Sequence, residues 1–121
     1  MRIVNPTAVL GEDAACAFIQ KKGYKILERN FRKSYGEIDI IAFHNKVLVF
    51  IEVKTRSSNI YGTPFDGISS SKLRQIVKGA QFYKYILHPE LSEDIRIDAI
   101  GVMVNGTNVV TLEHIENIGG F

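Results

Sequence analysis

The sequence predicts an α/β fold, a central mixed sheet of about five strands flanked by helices, in the order α-β-β-β-α-β-β. Three observations predict it. Residues 6–22 and 69–87 carry apolar side chains at helical spacing between capping and terminating residues. Three runs rich in β-branched and aromatic residues lie between them, and two more follow. The composition, 45% hydrophobic and 23% charged over 121 residues, is ordinary for a globular chain and suits one domain over residues 1–121.

Asn5-Pro6 reads as a helix start, with Asn5 as cap and Pro6 at the first helical position. Gly23 is a left-handed terminator, and the apolar stripe is read as Leu10, Ala14, Ala17 and Phe18. Residues 24–32 form the first strand, with Tyr24, Ile26 and Phe31 as its apolar members, and Ser34-Tyr35-Gly36 is a turn. Residues 37–43 and 47–55 are hairpin strands joined around His44-Asn45. Residues 57–67, SSNIYGTPFDG, predict a loop, and a long loop beside a charged strand end is often functional. The serines at 69–71 cap a second helix reaching about Leu87, with a stripe of Leu73, Ile76/Val77, Ala80, Tyr83/Lys84 and Leu87, and Pro89 ends it. Residues 95–104 are a strand, Asn105-Gly106 is a hairpin turn, and residues 109–114 return. Asn105-Gly106-Thr107 also matches a glycosylation sequon, but without a signal peptide the turn reading prevails.

Several classes are excluded. No apolar run approaches the ~20 residues of a membrane span, and Glu12 and Asp13 interrupt any secretory layout. Cys16 is the single cysteine, so neither an internal disulfide nor a cysteine-based zinc cluster is expected, and a reduced, cytoplasmic setting is. No Gly-rich phosphate loop precedes a helix, and no serine or cysteine nucleophile context is present. His44, His88 and His114 lack ligand spacing and are read as structural or exposed. The net charge is only +2, but residues 1–60 carry ten Lys/Arg against six Asp/Glu, while residues 61–121 carry five against seven. Arg32, Lys33, Arg56, Lys72, Arg74 and Lys78 are either phosphate contacts or a solvated basic surface.

The most informative stretch is GEIDIIAFHNKVLVFIEVKTR, residues 36–56, where Glu37, Asp39, Glu52 and Lys54 interrupt apolar runs. Side chains two apart share a strand face, so Leu48, Phe50, Glu52 and Lys54 lie on one face and Val47, Val49, Ile51 and Val53 on the other, aliphatic one. A two-residue turn at His44-Asn45 sets Glu37 opposite Glu52 and Asp39 diagonal to it; a four-residue loop sets Asp39 opposite Glu52. Both registers bring Asp39, Glu52 and Lys54 to one face. Two carboxylates that close repel by roughly 4 kcal/mol at an effective dielectric of about 20. A hard divalent cation offsets this, and two acids, a cation and a lysine suffice for phosphodiester hydrolysis. Cross-strand ion pairs on a wet sheet face are the other reading of the same pattern.

GEIDIIA followed by LVFIEVKTR resembles the PD-(D/E)xK nuclease superfamily, with its restriction-endonuclease-like fold. More narrowly, the chain is similar to the bacterial YraN family (UPF0102), a group related to archaeal Holliday-junction resolvases. Gly11-Glu12 with Ala15, GYKILERNFR at residues 23–32, the helix beginning near Lys72 and RIDAI at residues 96–100 extend the resemblance over nearly the whole chain. The superfamily's eponymous Pro-Asp pair is Ile38-Asp39 here. The resemblance implies Asp39 and Glu52 as ligands of Mg²⁺, with Mn²⁺ able to substitute. It adds the Val53 carbonyl as a further ligand, Lys54 orienting or activating the attacking water, and Glu12 completing the acidic cluster. Glu37 would support the ligands from beside them. Gln81 and Tyr85 echo a motif of some exonuclease-like members, and Asp98 matches a family strand aspartate with no chemical role assigned. The expected activity is Mg²⁺-dependent hydrolysis of DNA, branched DNA included, by a homodimer. The alternative is a DNA- or partner-binding module that keeps the fold with weak or no activity.

Overall fold

The computed structural model describes residues 5–57, 68–91 and 94–120. The expected loop at residues 57–67 lies outside the described residues except for Ser57, which ends a strand. Helix α1 is Pro6–Lys21; the Asn5 side chain accepts from the Thr7 and Ala8 amides, and the chain turns off at Gly23, whose φ of 93° suits glycine. Strands β1 (Lys25–Lys33), β2 (Gly36–His44) and β3 (Val47–Ser57) follow. Helix α2 is Ser70–Phe82, capped by the Ser69 hydroxyl on the Lys72 amide. Its expected last turns, Tyr83–Leu87, form a π-helix instead, where the His88 amide reaches back to the Tyr83 carbonyl and Lys84 is buried against the Pro89 carbonyl. Strands β4 (Asp94–Asn105) and β5 (Asn108–Ile115) complete the chain.

The five strands lie in the order β1-β2-β3-β4-β5, antiparallel except for β3 and β4, which run parallel along their length. The α/β class, the element order and the five-stranded mixed sheet are therefore those the sequence predicts, in keeping with a nuclease-like fold. Helix α2 is the crossover that a parallel pair requires. Two turns sit one residue later than expected. Asn45 and Lys46, both left-handed at φ 49° and 65°, join β2 to β3, and His44 pairs with Val47. This yields the second of the two registers considered, reached with a tight turn. Likewise Asn105 pairs with Asn108 around Gly106-Thr107.

Each face of the sheet is covered. Ala15, Cys16 and Ile19 of α1 pack on Ile40, Ala42, Val49, Ile51, Ile100 and Val102, while Ile76 and Ala80 of α2 with Tyr83 pack on Ile41, Leu48, Phe50 and Ile97. Strand β3 is thus buried on both faces, which explains its unbroken apolar run. The wet-face reading of the hairpin is corrected by this burial: Phe50 is fully buried and Glu52 is 6% exposed.

The α1 stripe is corrected by one helical position. Gly11, Ala15, Cys16 and Ile19 are buried, Leu10, Ala14 and Phe18 flank them, and Ala17 is exposed. The cause is Gly11, where a Cβ would collide with the Thr55 hydroxyl, so the helix backbone itself rests on β3. Gly11→Ala is expected to destabilise the protein by about 1–3 kcal/mol through overpacking, read as a lower urea midpoint. An unchanged midpoint would show that α1 can lift without cost.

A polar cluster is buried at the α1-side edge of the core. Asp98, fully buried, accepts from Arg96 Nε (2.9 Å) and the Asn117 amide (2.9 Å) and lies 2.7 Å from His114 Nε2. Arg96 also donates to the Tyr24 hydroxyl (2.7 Å), and Tyr24 stacks on His44 with ring centroids 3.9 Å apart. Burial disfavours the Asp98 charge, yet hydrogen bonds from His114, Arg96 and Asn117 together hold its carboxyl below the usual range. His114 and His44 are structural, in line with the sequence reading.

Candidate active site

The site forms where the sheet comes apart. The β2–β3 ladder runs from His44↔Val47 to Ile40↔Ile51 and stops there. The β1–β2 register likewise pairs Arg29 with Ile40 and Phe31 with Ile38 but skips Asn30 and Asp39, and Asn30 is left-handed at φ 54°. The alternation of faces breaks at the same point. Ile40 belongs to the α1-side core, yet Ile38, two residues before it, belongs to the α2-side core. Asp39 therefore sits at a kink in β2. In place of a ladder bond, its Oδ2 accepts the Val53 N–H at 2.8 Å. The backbone irregularity thus aims the Asp39 carboxyl at β3 beside Glu52.

The two acids meet. Burial is the main reason that the Asp39 carboxyl is pushed up to about 8; a hydrogen bond with Glu52 and the Glu52 charge add to it, and the Val53 amide and Lys72 pull against it. Near neutral pH, with no other cation near, the Asp39–Glu52 pair accordingly shares a proton. Glu52 also faces Lys72 Nζ at 3.6 Å, and that ammonium lies 3.4 Å from the Glu37 carbonyl oxygen. From α1, Glu12 is brought near enough that Asp39 raises its pKa, after burial as the larger cause, with Arg29 opposing. Arg29 Nη2 stands 3.8 Å from Glu12 and 2.8 Å from Asp13.

These groups line one cleft of about 640 Å³. Of the residues expected at the site, Glu12, Glu37, Asp39, Glu52, Val53 and Lys54 all line it, and so does Lys72, which sequence reasoning had placed among the phosphate contacts. The other basic candidates lie elsewhere. Arg32 pairs with Glu37 at 3.6 Å, Lys33 lies over the Phe31 and Phe82 rings, Arg74 and Lys78 are exposed on α2, and Arg56 lies on β3 outside the cleft lining. Gln81 and Tyr85 are exposed and do not line the cleft, with Gln81 roughly 13 Å along α2 from Lys72 at helical rise. Sequence reasoning missed Asn5, Asp13, Arg29 and Asn30 as lining residues. The available signal was Asn30 itself, a poor strand former that tolerates the left-handed conformation, placed mid-strand.

The donor chemistry suits a hard cation. A buried Glu52 and a part-buried Asp39 in hydrogen-bond contact, with one lysine beside them, offer oxygen donors, and the pair shares a proton that a cation could replace. Among the described residues, no three His, Cys, Asp or Glu side chains are grouped to hold a metal; Asp39 and Glu52 are the pair that could offer oxygen donors, and Glu12 stands 3.8 Å from Arg29. A pair suits Mg²⁺, which keeps several of its waters.

Comparison with known proteins agrees with the sequence resemblance. A UPF0102 protein of Persephonella marina is 42% identical over 108 residues, covering 88% of this chain and 87% of that one. Another from Chlorobium chlorochromatii is 41% identical over 112 residues, covering 88% and 85%. A third from Thermotoga maritima is 40% identical over 107 residues, covering 88% and 91%. Among solved structures, SfsA of Pyrococcus furiosus in complex with Ca²⁺ is a distant likeness, at 14% identity and a TM-score of 0.37 over 85% of this chain and 58% of that one. The model of the uncharacterised protein family UPF0102 matches residues 11–102, and the chain belongs to that family.

Proposed function

We propose that this protein is a Mg²⁺-dependent nuclease that hydrolyses DNA phosphodiester bonds, with branched DNA among its substrates. The observation that carries the reading is the contact between Asp39 and Glu52, held at a break in the sheet and open to a cleft. Asp39, Glu52 and the Val53 carbonyl would hold the cation, with Mn²⁺ able to substitute. When bound, the cation supplies charge for the phosphate and lowers the pKa of water. The chain's own groups do the rest. Lys54 lines the cleft and forms no ion pair among the described residues, so its ammonium is free to orient water or a phosphate oxygen. The Val53 amide fixes the Asp39 rotamer, and Gly11 lets α1 come close enough to β3 to deliver Glu12.

No helix among the described residues is long and apolar enough to cross a membrane. The reading adds a cytoplasmic location and, from the similarity to resolvases, a homodimer, which sedimentation tests. A second reading, a binding module with weak activity, is favoured by the engagement of Glu12 with Arg29, 3.8 Å away. Labelled single-stranded, duplex and four-way-junction DNA, each with Mg²⁺, Mn²⁺ or chelator, separate the two. Metal-dependent cutting that is absent with Asp39→Ala supports the nuclease. Salt-dependent binding without cutting supports the module.

A further inference from the structure

The acid pair already has a cation of its own. Lys72 enters from the first turn of α2, where the Ser69 hydroxyl fixes its amide at 3.0 Å. Its side chain is 31% exposed, against 7% for its partner Glu52, so the lysine alone has an open side. Both of its contacts are long, 3.6 Å to Glu52 Oε2 and 3.4 Å to the Glu37 carbonyl. Contacts of that length are weak. Lys54, on the same strand as Glu52 and lining the same cleft, takes no part in either contact. The two lysines are thus distinct: both line the cleft, and only Lys72 closes on the acids.

Resting on the reading of Asp39 and Glu52 as cation ligands, we propose that Lys72 is a resident counter-ion that a divalent cation must displace. Without metal, its ammonium balances the acid pair. A divalent ion arriving at the pair brings two positive charges to at most two negative ones, and the lysine then becomes a like charge to be repelled. A compact ammonium on a flexible four-carbon stem, open on one side, can move aside without disturbing the helix. Its charge then stands at the mouth of the cleft, where a phosphate would lie. Lys72 therefore sets the metal affinity of the site, separately from any part in bond breaking.

The test is Mn²⁺ binding to the full chain without nucleic acid, followed by the electron spin resonance signal of free Mn²⁺. Wild type is compared with Lys72→Met, Lys72→Gln, Lys72→Arg and Asp39→Asn. Both neutral variants are expected to bind Mn²⁺ at least tenfold more tightly than wild type. Lys72→Arg is expected to stay within about threefold, within the ordinary context scatter of such effects, and Asp39→Asn to lose binding. Neutral variants that bind no more tightly than wild type overturn the role of Lys72 while the metal site stands. Absence of Asp39-dependent binding in every protein overturns the metal site and the role of Lys72 together. Two neutral variants of different shape guard against one of them failing to fold.

Discussion

Asp98→Ala is expected to lower stability by about 3–5 kcal/mol, the scale for breaking a buried charge pair by removing one partner. The substitution removes the acceptor of Arg96, His114 and the Asn117 amide at once and leaves a guanidinium half-buried beside Tyr24. For a domain whose total stability is about 5–15 kcal/mol, this is a large share. Urea denaturation checks it, and a midpoint close to wild type would show that the cluster is dispensable. The pH dependence has a definite sign. The folded pKa of Asp98 lies below its unfolded value of about 3.9, so its contribution is complete well above pH 4 and is lost as acid protonates the folded carboxylate. The wild type should therefore lose stability on acidification more steeply than Asp98→Ala.

The second large effect is on activity, with stability spared. Asp39→Asn is expected to reduce DNA cleavage by about 10²–10³-fold, the scale for losing a group that stabilises transition-state charge. Its unfolding free energy should stay within about 1 kcal/mol of wild type, or rise. The reason is that the Asp39–Glu52 pair shares a proton near neutral pH, and an amide at position 39 can stand in for the protonated carboxyl: its oxygen can accept from Val53 and its nitrogen can donate to Glu52. Two acids forced together for function should cost stability, and removing one relieves them. Cleavage assays beside thermal melts at pH 7 decide it. Full activity would sink the nuclease reading, whereas unfolding would show that Asp39 is needed for the fold instead.

Much of this was legible in advance, and the exceptions share a cause. The hairpin announced itself because Val47, Val49, Ile51 and Val53 obey a period of two, and the register that buries Val49 and Ile51 also brings Asp39 beside Glu52, just past the last ladder pair. The α1 cap was plain in Asn5-Pro6. The phase of α1 was missed because hydrophobic periodicity weighs side chains, and Gly11 packs by lacking one. The reversal of faces at Asp39 was missed because strict alternation was assumed through a residue whose neighbour, Asn30, breaks the ladder. The Asp98 cluster depends on residues far apart in sequence, Tyr24, Arg96 and His114 among them, and no local pattern connects these. Lys72 had only its helix position to speak for it, and a surface phosphate contact and a buried acid pair look alike from there.

The hydrogen bond from the Val53 amide to Asp39 gives the protein an internal reporter. The ladder amides around it belong to a strand paired on both sides, and their solvent exchange requires large-scale opening. The Val53 proton is held on that side by one carboxylate at the cleft, so its exchange follows the Asp39 side chain while its neighbours follow the fold. A single backbone resonance thus separates what happens at the site from what happens to the sheet that carries it.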